Sequence, residues 1–181
     1  MSGPKIWLTA DTHYGHANII KYCNRPFSSV EEMDEAMIRN HNAVVRPGDI
    51  WYHLGDFAMG RHDDYLSRLN GGAKHLIFGN HDHRNRTTQA KGWTSMGDIA
   101  HVQFPGIDIP VVLFHYAMRV WNRSHHGALH LYGHSHGTLP GDSQSCDVGV
   151  DCWGFKPITI DRAIARMKTQ TMRTLPITGE R

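Results

Sequence analysis

No apolar run in this 181-residue chain approaches the roughly 20 residues that a membrane span needs. Nor does the start show a signal-peptide pattern: Met1-Ser-Gly-Pro-Lys5 leads straight into β-prone residues, with no long apolar region behind a charged one. Cysteine is scarce. Cys23, Cys146 and Cys152 are an odd number without CxxC spacing, which argues against both a disulfide framework and a thiolate zinc site. They read as small buried hydrophobes in a reducing, cytoplasmic protein. Strong charge is missing too. A formal net charge of +2 is too mild to call for a polyanionic partner by itself, and no dense basic stripe interleaves with aromatics. Internal repeats, low-complexity tracts and linkers are also absent.

What remains is ordinary except in one respect. Apolar content of 40% and charged content of 20% fit a soluble globular chain, and the length suits one domain over residues 1–181. The exception is histidine, with 15 residues dispersed along the chain rather than gathered in a tract. Imidazole is the commonest metal ligand and the commonest general acid or base. Such dispersal suits a site assembled from several loops.

Apolar, β-prone runs at Ile6–Ala10, Ile50–Leu54, His75–Phe78 and Leu129–Tyr132 read as buried strands. Ile99–Phe104 and Ile109–Tyr116 flank Pro105-Gly106 and read as a close strand pair. Cys146–Val150 and Pro157–Ile160 read as short final strands. Ser29 and Glu32 form a capping-box pattern ahead of a helical stripe of Val30, Met33, Met37, Ile38, His41, Val44 and Val45, ended by Pro47-Gly48. Asp63–Leu69 reads as a short helix, and Asp161 as the cap of a last helix through Met167. Residues 169–181 show little pattern and read as a loose tail. Pattern alone gives an α/β domain with a mixed sheet.

Five of the strands end in acidic, amide or imidazole residues: Asp11-Thr-His13, Gly55-Asp56, Gly79-Asn80-His81-Asp82, His115, and Gly133-His134-Ser-His136. Open α/β sheets bind ligands beyond the carboxyl ends of their strands. The candidate ligands are then Asp11, His13, Asp56, Asn80, His115, His134 and His136. This oxygen and imidazole set without sulfur suits Mn, Fe, Zn, Ni or Co better than Ca. Seven donors are too many for one catalytic ion, which keeps an open position. They suit two ions sharing a carboxylate, about 3.5–4 Å apart, able to clamp both oxygens of an in-line displacement at phosphorus.

DTH, GD, GNHD, a lone histidine and GHSH, in this order from Asp11 to His136, resemble the calcineurin-like metallophosphoesterase family. The wider wording, DTHYGHANIIKYCNRPF, HLYGHSHG and VGVDCWGFKPI, is similar to a subgroup of small bacterial and phage phosphoesterases. The resemblance implies a four-layer αββα sandwich of two mixed sheets flanked by helices. It implies that Asp11, His13 and His136 bind one metal, that Asn80, His115 and His134 bind a second, and that Asp56 bridges them. Manganese comes first among the metals, with Fe, Ni, Co, Zn or Mg as alternatives. His81 would protonate the leaving group, and Asp82 would hold the His81 ring. The implied activity is hydrolysis of phosphate esters by in-line attack of a metal-bound hydroxide, favoured as a phosphodiesterase on nucleotide-like or nucleic-acid-derived substrates. The alternatives are a phosphomonoesterase on nucleotides or proteins, and a non-catalytic protein-binding scaffold on the same fold. No large insertion separates the motifs, so the site is open and walled by loops at Tyr14–Phe27, Arg84–Gly97 and Arg119–Leu129. Within these, His16, Arg25 and Arg119 are candidate substrate contacts, set against a helix-start bond for His16 and solvated surface for the arginines.

Overall fold

The computed structural model describes residues 3–174. Nine strands form two mixed sheets. The first holds β1 (Ile6–Thr9), β2 (Ile50–His53), β3 (Ala73–Ile77), β4 (Ser95–Gly97) and β9 (Ile158–Thr159), in the order β4-β3-β2-β1-β9. Its first four strands run parallel, and β9 is antiparallel to β1. The second sheet holds β5 (Ile99–Val102), β6 (Val111–Phe114), β7 (Leu129–Tyr132) and β8 (Ser145–Asp147), in that order. Here β5 is antiparallel to β6, while β6, β7 and β8 run parallel.

Alternation along the strands sorts side chains onto the two faces of each sheet. Leu8, Ile77, Val111, Leu113, Leu129, Leu131 and Cys146 point into a shared core between the sheets. The helix α5 (Ile160–Met167) closes that core with Ala163 and Met167. Trp51 and Leu76, one residue out of phase, face the opposite way. They pack beneath α1 (Ala17–Tyr22), α2 (Val30–Val44) and α3 (His62–Leu66), through Ile19, Met33, Met37 and Leu66. The fourth layer is thin. Met118, Trp121 and Ala128, around a single 3-10 turn at Ser124–His126, cover Val112 on the outer face of the second sheet. This is a metallophosphoesterase-like arrangement of two mixed sheets flanked by helices. No helix of the described residues is long and apolar enough to cross a membrane.

Several local expectations change. The segment 84–97, read as a loop, contains α4 (Arg84–Thr87) and the edge strand β4; its polar composition hid both. Ser29 caps α2 by accepting from the Glu32 amide at 3.1 Å, but Glu32 reaches back to Ser28 instead of Ser29. Thr159, not Asp161, occupies the cap of α5, and Asp161 sits in its first turn. The tail read as loose from 169 is pinned through residue 173, and residues 175–181 lie outside the described residues. The Ser143 amide donates to Thr171 O, and the Arg173 guanidinium pairs with Asp142 at 2.6 Å and covers the Trp121 ring at 4.0 Å.

Two histidines belong to the core. His41, on the buried stripe of α2, donates from Nε2 to Asn70 O at 2.9 Å. His130 is buried with Nδ1 3.1 Å from Val112 O and Nε2 between the Met118 amide at 3.1 Å and Tyr116 O at 3.2 Å. Burial pushes each pKa from 6.5 down to about 4. The unfolded chain therefore binds more protons between these values. The stability these rings confer is present above pH 6.5 and is lost as pH falls toward 4. His41→Gln, which keeps a donor for Asn70 O, should flatten the dependence of urea-unfolding free energy on pH by up to one proton, about 1.4 kcal/mol per pH unit, between pH 4.5 and 6. An unchanged slope would mean that His41 is charged or solvated in the fold.

Candidate metal centre

The parallel strands deliver their carboxyl ends to one edge, and backbone bonds lock those ends together. Asp11 N donates to Gly55 O at 2.9 Å, His13 N to Asp56 O at 3.0 Å, and Gly133 N to His115 O at 2.9 Å. A parallel bridge between Ala10 and Gly149 joins the two sheets there. Glycine permits the close approach. A Cβ on Gly133 would sit 2.6 Å from an Asp11 carboxylate oxygen, and one on Gly79 would overlap the Asp56 carboxylate. Eight non-glycine residues among those described have positive φ. Five of them are candidate ligands: Asp11 at 57°, His13 at 50°, Asp56 at 57°, His134 at 66° and His136 at 47°. Left-handed backbone at non-glycine residues costs energy and persists where the surroundings enforce it, commonly at functional sites.

The side chains aim their donors inward. His115 Nδ1 donates to Leu54 O at 2.7 Å, and His136 Nδ1 to Asp151 at 2.7 Å, so each presents Nε2 to the site. His115 Nε2 lies 3.5 Å from Asp56 Oδ2 and 3.2 Å from Asn80 Oδ1. His13 Nε2 lies 3.5 Å from Asp56 Oδ2 and is buried without a hydrogen-bond partner. The donor atoms fall into groups tight enough for one ion each: Asp11 with His13 and His136, and Asp56 with His115 and His134. Asp56 also groups with His13 and His81, which links the two. A further group of Cys23, His136 and Asp151 is already satisfied, because both Asp151 oxygens accept from Arg25 and one also accepts from His136.

Electrostatics favour a cation here. Burial raises the Asp11 pKa to about 7, and burial lowers that of His13 to about 3, leaving a neutral ring with a free lone pair. Burial works against charge on Asp56 as well, but His115, His13 and the His81 amide outweigh it and hold its pKa well below the usual range. His115 responds in kind: burial opposes its charge, yet Asp56 and Asp11 raise its pKa. Burial thus favours the protonated form of Asp11, whereas Asp56 keeps its charge beside His115. The orphaned His13 nitrogen, the inward lone pairs and the sulfur-free donor set fit divalent cations in both groups.

All seven candidate ligands thus come together, and His81 joins them with its ring 5.2 Å from that of His13 and its amide donating to Asp56 Oδ1 at 2.8 Å. His16 is beside them, with Nδ1 3.4 Å from His13 Nδ1; it starts α1 without capping it through its side chain. Two expectations are corrected. Asp82 does not hold the His81 ring. Its carboxylate accepts the amides of Asp56 and Gly79 at 2.8 Å and of Phe57 at 3.0 Å, and lies 3.6 Å from His62, clamping the ends of β2 and β3. Arg25 is no substrate contact. It is buried, bidentate to Asp151 at 2.8 Å, and donates to Asp11 O at 2.7 Å and Thr12 O at 3.0 Å. Arg119 is exposed in the loop after β6, with its carbonyl accepting from Arg173. Sequence reasoning missed Asp151 as the partner of both Arg25 and His136. Its place in VGVDCW was the available signal, but nothing local joins it to residues 126 and 15 positions away.

The two mixed sheets flanked by helices have a metallophosphoesterase-like fold, with a polar cluster at the shared strand ends. No family model matches the chain. The uncharacterized protein MJ1445 of Methanocaldococcus jannaschii is 35% identical over 187 aligned positions, covering 97% of this chain and 98% of that protein. The chain belongs to the family of that archaeal protein. Among solved structures, the protein of unknown function AQ665 from Aquifex aeolicus shares the fold, with a TM-score of 0.72 at 23% identity, over 91% of this chain and 100% of that one. The Escherichia coli phosphoesterase YfcE matches with a TM-score of 0.42 at 14% identity, over 80% of this chain and 77% of its own, a likeness too distant to speak to activity.

The Arg25–Asp151 pair is almost fully shielded, with side-chain exposures of 0% and 10%. Removing one partner of such a pair leaves a buried charge uncompensated. Arg25→Met should lower the urea-unfolding free energy by about 3–5 kcal/mol, and Arg25→Met with Asp151→Leu should be more stable than Arg25→Met alone. Equal losses in the single and double variants would show that the pair is not what Arg25 contributes.

Proposed function

We propose that the protein is a metal-dependent phosphoesterase that favours phosphodiesters. The observation that carries this reading is the convergence of seven nitrogen and oxygen donors from five strand ends into two groups joined by Asp56, with His81 alongside. Asp11, His13 and His136 would hold one cation, Asn80, His115 and His134 another, with Asp56 shared. Manganese suits this donor set. Divalent cations bound there supply Lewis acidity to water and to the phosphoryl oxygens.

The chain's own residues do the rest. The strand-end clamp of Asp82 fixes the turn that carries Asn80 and His81. A water oxygen bonds to phosphorus as the ester P–O bond opposite it breaks. His81 gives its proton to the departing oxygen and recovers one derived from the attacking water, so protons balance. The short loops around the site leave room for a diester or a nucleotide.

Manganese-dependent hydrolysis of bis-p-nitrophenyl phosphate should exceed that of p-nitrophenyl phosphate. His81→Ala should lower kcat by about 10²–10⁴-fold while two manganese ions per chain still bind. Asp56→Asn should lose both bound metal and activity. A monoester preference would reassign the protein as a phosphomonoesterase. Equal loss of metal and turnover in His81→Ala would make His81 a ligand. No activity together with no bound metal would leave only a scaffold.

A further inference from the structure

Among the described residues, two aromatic side chains stand exposed, Tyr22 at 72% and Tyr116 at 38%. Tyr116 lies against one ligand group, and Tyr22 lies beyond His16 on the side of the other. The Tyr22 ring is 6.3 Å from that of His16, which is itself 5.4 Å from His13 and 5.8 Å from His81. The Tyr116 ring is 4.7 Å from His134 and 4.8 Å from His115, and its hydroxyl is 3.4 Å from Asn80 Oδ1. Tyrosine usually gains by burying its ring and wetting only its hydroxyl. These two leave flat apolar surface in water next to a site suited to a phosphoester. Exposed cations accompany them, with Lys21 adjacent in the chain and Arg119 in the loop that follows Tyr116.

A phosphate set between two flat rings is the repeating feature of a nucleic acid strand. Aromatic platforms bind successive bases with little regard to sequence, because every base has a π-face. In a duplex those faces are occupied by neighbouring base pairs, so platforms of this kind select unpaired strands. A cleft of about 430 Å³ that shares His81 as a wall, bordered by Met59, Arg61 and His83, gives room for a further nucleotide.

We propose that Tyr22 and Tyr116 are stacking platforms for bases on the two sides of the scissile phosphodiester, so that the substrate is a single-stranded nucleic acid. This rests on the phosphoesterase reading of the site. Water adds to phosphorus and one ester oxygen leaves with a proton, giving one strand end with a phosphate monoester and one with a hydroxyl.

The test is binding of a fluorescein-labelled pentanucleotide, RNA or DNA, read by anisotropy. It is run in EDTA, and in manganese with a phosphorothioate-linked strand that resists hydrolysis. Tyr22→Ala and Tyr116→Ala should each weaken binding by about 5- to 100-fold. Tyr22→Phe and Tyr116→Phe, which keep the ring, should stay within about twofold of wild type, and thermal unfolding should confirm that all four fold. A duplex of the same length should bind at least about tenfold more weakly. In turnover, the ratio of the oligonucleotide KM to that of methyl p-nitrophenyl phosphate should rise in both alanine variants. No binding in either condition, binding indifferent to both alanine changes, or equal affinity for duplex would overturn the proposal. Hydrolysis of methyl p-nitrophenyl phosphate with tyrosine-independent binding would remove the platforms alone. Tyrosine-dependent binding with no hydrolysis of any ester would remove the phosphoesterase reading and leave a single-strand binding face.

Discussion

Two carboxylates, Asp11 and Asp56, are buried where the strand ends of both sheets meet, and the architecture around them is organised by the need to balance their charge. Burying an ionised group without compensation is far costlier than any single packing contact can offset. Asp11 receives the His134 amide on both oxygens, at 2.9 and 3.0 Å, and Asp56 receives the His81 amide. Neither set of amides supplies a full positive charge. Asp56 can draw that charge from imidazolium or a cation, and Asp11 can also hold a proton of its own. His115, 3.5 Å from Asp56, holds the Asp56 pKa down, and Asp56 holds that of His115 up.

Holding donors this close requires backbone that few residues adopt. The left-handed conformations at Asp11, His13, Asp56, His134 and His136 need outside enforcement, and two buried polar clamps provide it. Arg25 grips the carbonyls of Asp11 and Thr12 and, through Asp151, orients His136. Asp82 gathers the amides of Asp56, Phe57 and Gly79. One clamp therefore serves β1 and the segment after β8, the other β2 and β3. The first clamp is supplied from the loop between α1 and α2, by the buried Arg25, and the second from the turn after β3, by the buried Asp82.

The division between what the sequence revealed and what it hid follows the range of the interactions. Strands such as Ile6–Thr9 and Leu129–Tyr132 were legible because alternation and apolar content are local signals. The candidate ligands were legible because each follows closely on such a strand, so the parallel sheet order gathers them at one edge. The partner of each ligand was not legible. Asp82 adjoins His81 in the chain, which invited a pairing, yet the turn sends its carboxylate back to the strand-end amides. Arg25 lies in a loop near DTH, which suggested phosphate, yet 126 residues separate it from the carboxylate that claims it. Chain adjacency is a poor guide to hydrogen bonding wherever the backbone reverses, and strand ends are where it reverses.

The same electrostatics tie function to stability. A cation that binds the folded cluster and not the unfolded chain stabilises the fold by an amount set by its concentration relative to its dissociation constant. Burial disfavours charge on Asp11 and leaves the His13 Nε2 nitrogen without a hydrogen-bond partner. Each carries a cost on its own, and on the proposed reading each would be relieved by coordinating a divalent ion. The clamps tie the strand ends together and hold the donor atoms around one shared space. A cluster assembled at such cost, from strands of two sheets, is better explained by what it binds than by anything it contributes to packing.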